Sequence, residues 1–161
     1  MKISVVVTLK NEEDRISEFL DSLLNQTCTP DEIIIADGHS TDKTPIIIES
    51  YVKRHPFIRL VDTFNLTIGE ARNRAIKEAS NEKIAVMNCD RLDPKWLESL
   101  MTELASADVA VGVWKSDAKT LFEKCASELT LPRVSYDEFS PAFFSNCAFR
   151  KGVWMKVGGY A

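Results

Sequence analysis

Carboxylates and amides recur in this sequence at one kind of place, directly after an apolar run. Ile3 to Leu9 runs into Lys10-Asn11-Glu12-Glu13, Ile33 to Ala36 into Asp37-Gly38-His39-Ser40, and Ile84 to Met87 into Asn88-Cys89-Asp90. Groups of this kind accept hydrogen bonds from a polar ligand or hold a hard cation, because Mg²⁺ is commonly bound by one or two carboxylates plus substrate phosphates. Asp90 is the candidate metal ligand, whereas Asp93, ahead of Pro94, reads as a helix N-cap. Asp37 comes too early to cap the helix after it and shows no local duty, so it reads as a ligand group. Asp42 reads as an Asx turn and cap. At the first edge, Thr8, Asn11 and Glu12 can serve a ligand while Asn11 caps a helix whose positive end favours Glu12, Glu13 and Asp14. Cys89 alternates away from Asn88 and Asp90 and reads as a packed thiol. Of the two histidines, His39 lies in the second edge within reach of a ligand and His55 ends a helix. Arg72 and Asn73 can donate to a phosphate or a base edge, while Arg74 reads as a solvated position.

The elements that must position these groups follow from periodicity. Apolar residues at Ile16, Phe19, Leu20, Leu23 and Leu24 have helical spacing after the first strand. The unit then repeats: a strand over 32–36, a helix beginning at 41–45, a strand over 58–61, a helix over 68–79, a strand from Lys83 and a helix carrying Trp96, Leu97, Leu100, Met101 and Leu104. Strands alternating with helices imply parallel pairing, right-handed crossovers and helices on both sheet faces. Residues 1–107 are expected to form one doubly wound α/β half, and ligands of such sheets bind at the carboxyl ends of the strands. Beyond it, 108–114 reads as a strand, 116–131 as a helix, 132–141 as a loop and 143–149 as a short strand of the same single domain.

Composition narrows the partners. The 161 residues are 45% hydrophobic and 27% charged, with a formal charge of -4, values of an ordinary globular chain. No basic stripe marks a nucleic-acid binder. Cys28, Cys89, Cys125 and Cys147 form no C-x-x-C pair and read as reduced thiols of a cytoplasmic protein. No stretch is long and apolar enough to span a membrane. No G-x-G-x-x-G follows any strand, which excludes a dinucleotide dehydrogenase.

With these residues placed, the chain resembles the family 2 glycosyltransferases of the GT-A fold. The matching blocks, in the family's order, are Ser4 to Thr8 with Asn11-Glu12; Ile34 to Thr44; Asn65, Gly69 and Ala71-Arg72-Asn73; Asn88-Cys89-Asp90 with Pro94 to Leu97; and Asn146 to Arg150 with Val157-Gly158-Gly159-Tyr160. The resemblance implies a Rossmann-like, mostly parallel sheet and a nucleotide-diphosphate sugar donor. Thr8, Asn11, Glu12, Asp37, His39, Arg72, Asn73, Asn88 and Cys89 would line the donor, and Asp90 would hold Mg²⁺ or Mn²⁺ against the diphosphate. The acceptor would be a saccharide, lipid-linked or protein hydroxyl, and the protein cytoplasmic, at the inner face of the membrane or forming a homo-oligomer. The sequence departs from the family at Asn88, where the first acid of a D-x-D motif usually stands. It also ends before the family's general base, leaving Asp137 and Glu138 as weak substitutes and residues 108–161 as the start of an incomplete acceptor half. A non-catalytic nucleotide-binding protein of the same fold is the first alternative. A sugar nucleotidyltransferase ranks low, because Lys10-Asn11-Glu12-Glu13 contains no glycine.

Overall fold

The computed structural model of the chain describes residues 2–112 and 145–160. β1 (Ile3–Leu9), β2 (Glu32–Asp37), β3 (Ile58–Val61) and β4 (Lys83–Met87) alternate with α1 (Ile16–Leu24), α2 (Thr44–Arg54) and α3 (Ile68–Glu78). The remaining described elements are α4 (Trp96–Glu103), β5 (Val109–Val111), β6 (Asn146–Arg150) and α5 (Lys151–Val157). The sheet has the order β3-β2-β1-β4-β6-β5. The first four strands pair in parallel, as expected, while β6 runs antiparallel to both β4 and β5. Within the described residues β5 covers Val109–Val111 of the expected 108–114, and β6 runs over Asn146–Arg150 against the expected 143–149. The helix expected over 116–131 and the loop over 132–141, with Asp137, Glu138 and Cys125, lie outside the described residues.

Every residue of β1 is buried, because a central parallel strand is covered on both faces. Side-chain alternation divides the core into two layers. Val5, Val7, Ile33, Ile35, Ala85 and Met87 pack with α1, α2 and α4, and Val6, Ile34, Ile84 and Val86 pack with α3 and Trp154. Small residues at Ala71, Ala75 and Ala79 let α3 lie against its face of the sheet. The start of α3 is fixed by a capping box in which Thr67 and Glu70 satisfy each other's backbone N–H groups.

β1 lies between β2 and β4, so the direction in which strands are added reverses there. The crevice at such a switch point is where open α/β sheets place ligands. Since Val7 pairs with Met87, the next residues, Thr8 and Asn88, flank this crevice. The opposite end of the sheet is closed by Glu32, whose carboxylate accepts from Ser4 Oγ at 2.5 Å, Ser80 N at 2.9 Å and Arg59 Nε at 3.1 Å.

Candidate functional site

At the centre of the crevice, α3 sends Arg72 across the ends of β1 and β4. Its guanidinium, in a residue only 6% exposed, donates through Nη2 to Thr8 Oγ1 at 2.7 Å and to Asn88 Oδ1 at 3.0 Å. The Thr8 hydroxyl lies 3.4 Å from the same Asn88 oxygen, to which it donates. The guanidinium carbon of Arg72 stands over the Tyr160 ring, 5.0 Å from its centroid, a cation–π arrangement. Burial pushes the Tyr160 hydroxyl up from its ordinary pKa and the adjoining Cys147 thiol up to about 11, and the two share a hydrogen bond. Arg72 therefore joins three elements at the strand ends.

Asn73, its neighbour in sequence, faces the carboxyl-terminal segment. Its Oδ1 accepts from Tyr160 N at 2.8 Å and Trp154 Nε1 at 3.2 Å, and its Nδ2 donates to Tyr160 O at 2.7 Å. The turn that makes this possible passes through Gly158 and Gly159, both at positive φ.

Two loops form the outer wall, and they brace each other. Asn11 N donates to Ser40 Oγ at 2.7 Å, while Asn11 Oδ1 accepts from Thr41 N at 2.8 Å. Glu12 N donates to Thr44 Oγ1 at 2.8 Å, Glu13 N to Asp42 Oδ2 at 3.2 Å, and Glu13 Oε2 accepts from Lys43 N at 2.8 Å. Asn11 and His39 take up the left-handed conformation, which Asn and His tolerate better than most residues. Asn11 consequently does not cap a helix, because α1 starts later and its N-cap position is Arg15. Asp37 also departs from expectation. It does have a local duty, accepting from Ser40 N at 3.1 Å and from the Ser40 hydroxyl. Asp42 behaves as an Asx cap, accepting from Thr44 N at 2.9 Å. The exposed His39 ring meets Phe64 edge-on at 5.2 Å.

On the α1 side of β4, Asp90 lines an open cavity of about 390 Å³ with Arg15, Glu18, Phe19, Cys89 and Arg91. The Asp90 carboxylate accepts no hydrogen bond from the described residues; only its backbone N–H is engaged, with Asn88 O at 2.8 Å. Cys89 is buried as a packed thiol, and burial, with Glu12 and Asp90 nearby, pushes its pKa up to about 12. Among the described residues no group of three or more His, Cys, Asp or Glu could hold a metal by itself, and no helix is long and apolar enough to cross a membrane. Ser40, Thr44 and Tyr160 also brace these segments; none was expected as a site residue, although the matching blocks Ile34 to Thr44 and Val157 to Tyr160 contain them.

The family model described as glycosyl transferase family 2 matches residues 4–155. The chain is 34% identical over 117 residues to the uncharacterized glycosyltransferase YibD of Escherichia coli, covering 72% of this chain and 34% of that protein. It is 43% identical over 94 residues to the poly(ribitol-phosphate) beta-glucosyltransferase of Bacillus spizizenii, covering 56% of this chain and 15% of that one. The chain thus spans about a third or less of the length of these relatives. Among solved structures, the mannosyltransferase PcManGT of Pyrobaculum calidifontis, in complex with GDP-Man and Mn²⁺, superposes with a TM-score of 0.74 at 24% identity, covering 99% of this chain and 47% of that one. TarS 1-349 of S. aureus in complex with UDP-GlcNAc gives 0.72 at 22%, covering 99% and 48%. These two likenesses establish the shared GT-A fold.

Proposed function

Because the chain belongs to glycosyl transferase family 2, we propose that it transfers a sugar from a nucleotide-diphosphate sugar to a hydroxyl acceptor, with inversion and with a divalent metal. The observation that carries this reading is the convergence of Thr8, Asn88 and the braced loops of Asn11 and Asp37 at the switch point, with Asp90, two residues beyond Asn88, lining the cavity on the α1 side of β4. The bound GDP-Man, Mn²⁺ and UDP-GlcNAc in proteins of the same fold support it. In this reading residues 1–107 bind the donor and residues 108–161 begin the acceptor half, whose hydroxyl substrate is a saccharide, a lipid-linked sugar or a protein.

Asp37, already held by Ser40, would accept from the base. Glu12 and His39 would close the nucleoside side, and Arg72 would act through Thr8 and Asn88 rather than by reaching the donor itself. Asn73 would act by fixing the Tyr160 segment. The donor set fits a hard cation: the Asp90 carboxylate accepts no hydrogen bond from the described residues and lines an open cavity, and one carboxylate completed by diphosphate oxygens suffices for Mg²⁺ or Mn²⁺. When bound, the cation neutralises charge on the departing diphosphate.

Thermal melting with UDP, GDP and their sugars, in Mn²⁺, tests the reading. A hundredfold excess of the right nucleotide over Kd should stabilise the chain by about 2.7 kcal/mol; no shift with any of them would refute donor binding. Asp90→Asn should abolish the Mn²⁺-dependent part of the shift and leave the metal-free part. Sugar transfer or donor hydrolysis separates an enzyme from a protein of this fold that only binds nucleotide, the reading favoured by Asn88 where the family usually has an acid.

A further inference from the structure

Asn88 turns its amide oxygen toward Arg72 and Thr8. Arginine carries no acceptor, so an amide bonded to Arg72 must turn its oxygen toward the guanidinium; Oδ1 lies 3.0 Å from Arg72 Nη2. Thr8 adds a second donor to the same oxygen at 3.4 Å. Two protein donors therefore converge on Oδ1. Nδ2 has no partner among the described residues, in a side chain that is half-buried at the crevice between the ends of β1 and β4.

We infer that Asn88 donates from Nδ2 to an oxygen of the bound nucleotide diphosphate and takes no part in metal ligation, an inference that rests on the donor-binding reading above. A carboxylate at this position would also receive Arg72, but its second oxygen would face the ligand as an anionic acceptor. The amide reverses the polarity of that hydrogen bond. It also removes one negative charge from beside the diphosphate, which leaves the cation to Asp90 and lowers the repulsion that a metal would otherwise have to offset. Nucleotide binding should therefore depend on metal less than it would with an acid here.

Calorimetric titration of the chain with UDP and with GDP, each in EDTA and in Mn²⁺, tests this with Asn88→Ala and Asn88→Asp. Asn88→Ala is expected to weaken binding about tenfold in both media, the effect of losing one charge-assisted hydrogen bond. Asn88→Asp is expected to lose about tenfold or more in EDTA and to regain most of it in Mn²⁺, so that its metal dependence exceeds that of the wild type. Loss by Asn88→Ala in Mn²⁺ alone would make Asn88 a cation ligand and overturn the inference. Unchanged affinity in both media would overturn it as well, as would wild-type binding that requires Mn²⁺. A wild type that binds neither nucleotide in either medium refutes the donor-binding reading and the inference together, whereas wild-type binding with the wrong variant pattern refutes the inference alone. Melting curves show whether each variant is folded, and either variant by itself discriminates donor from metal ligand.

Discussion

Arg72 and Asn73 are adjacent and both were expected at the donor, yet the helix turns them to different work. Arg72 reaches the strand ends, while Asn73 spends three side-chain hydrogen bonds on Trp154 and Tyr160. Residue type alone cannot separate these duties, because both side chains are competent donors and only the docking of the Gly158-Gly159-Tyr160 segment decides between them. That docking makes a testable demand on Gly159. Its φ is +86°, and a Cβ there would stand 2.7 Å from Asn73 Oδ1. Gly159→Ala combines left-handed strain with a forced shift of Asn73, so it should cost about 1–3 kcal/mol in denaturant unfolding. It should also weaken nucleotide binding by disturbing Tyr160 beneath Arg72. A variant of wild-type stability would mean that the segment is not held as described. Asp37 teaches a similar lesson: a strand-end acid looked free because nothing in the sequence shows Ser40 folding back onto it.

Elements were legible wherever the signal was local. The apolar spacing of α1 and the β-branched content of β1 and β2 located these elements to within a few residues. The helix starts were less legible, because the loops before α1 and α2 are tied to one another across the chain as well as by the local cap of Asp42. Thr44 shows the difference. It looks like an ordinary residue at a helix start, but it is fully buried and its hydroxyl accepts from Glu12 N. Thr44→Val keeps the volume and removes the acceptor, leaving the half-buried Glu12 N–H unmatched by protein at a cost of about 1 kcal/mol. Because this bond ties the two loops that flank the crevice, nucleotide affinity should fall with stability, and calorimetric titration beside urea unfolding would detect both. A loss of stability with unchanged affinity would show that the brace is structural only. The antiparallel direction of β6 was not legible at all, since alternation of apolar residues carries no information about strand polarity.

At the scale of the whole molecule, the two ends of the sheet have opposite tasks. The carboxyl end leaves polar groups open to a ligand, whereas the amino end closes around Glu32. The doubly wound topology could be read from the repeating strand and helix units, and with it the end at which the site lies. Glu32 could not be placed in the same way, because its partners Ser4, Arg59 and Ser80 come from different strands and a loop. Burial pushes the Glu32 pKa up, but the hydrogen bonds from Ser4, Ser80 and Arg59 outweigh it and hold the carboxyl below its ordinary value of 4.5. A carboxyl depressed in the folded state contributes stability that is fully present above its unfolded pKa and is lost as pH falls through the folded one. Acid should therefore loosen this end of the sheet, beginning below about pH 4.5. Glu32→Gln keeps the shape but not the charge, so at pH 7 it should be less stable than the wild type by on the order of 1–2 kcal/mol. The gap should narrow as the wild-type carboxyl becomes protonated. Urea unfolding of both proteins at pH 7 and at about pH 3 measures this directly, and a gap of equal size at both pH values would show that the charge of Glu32 contributes nothing.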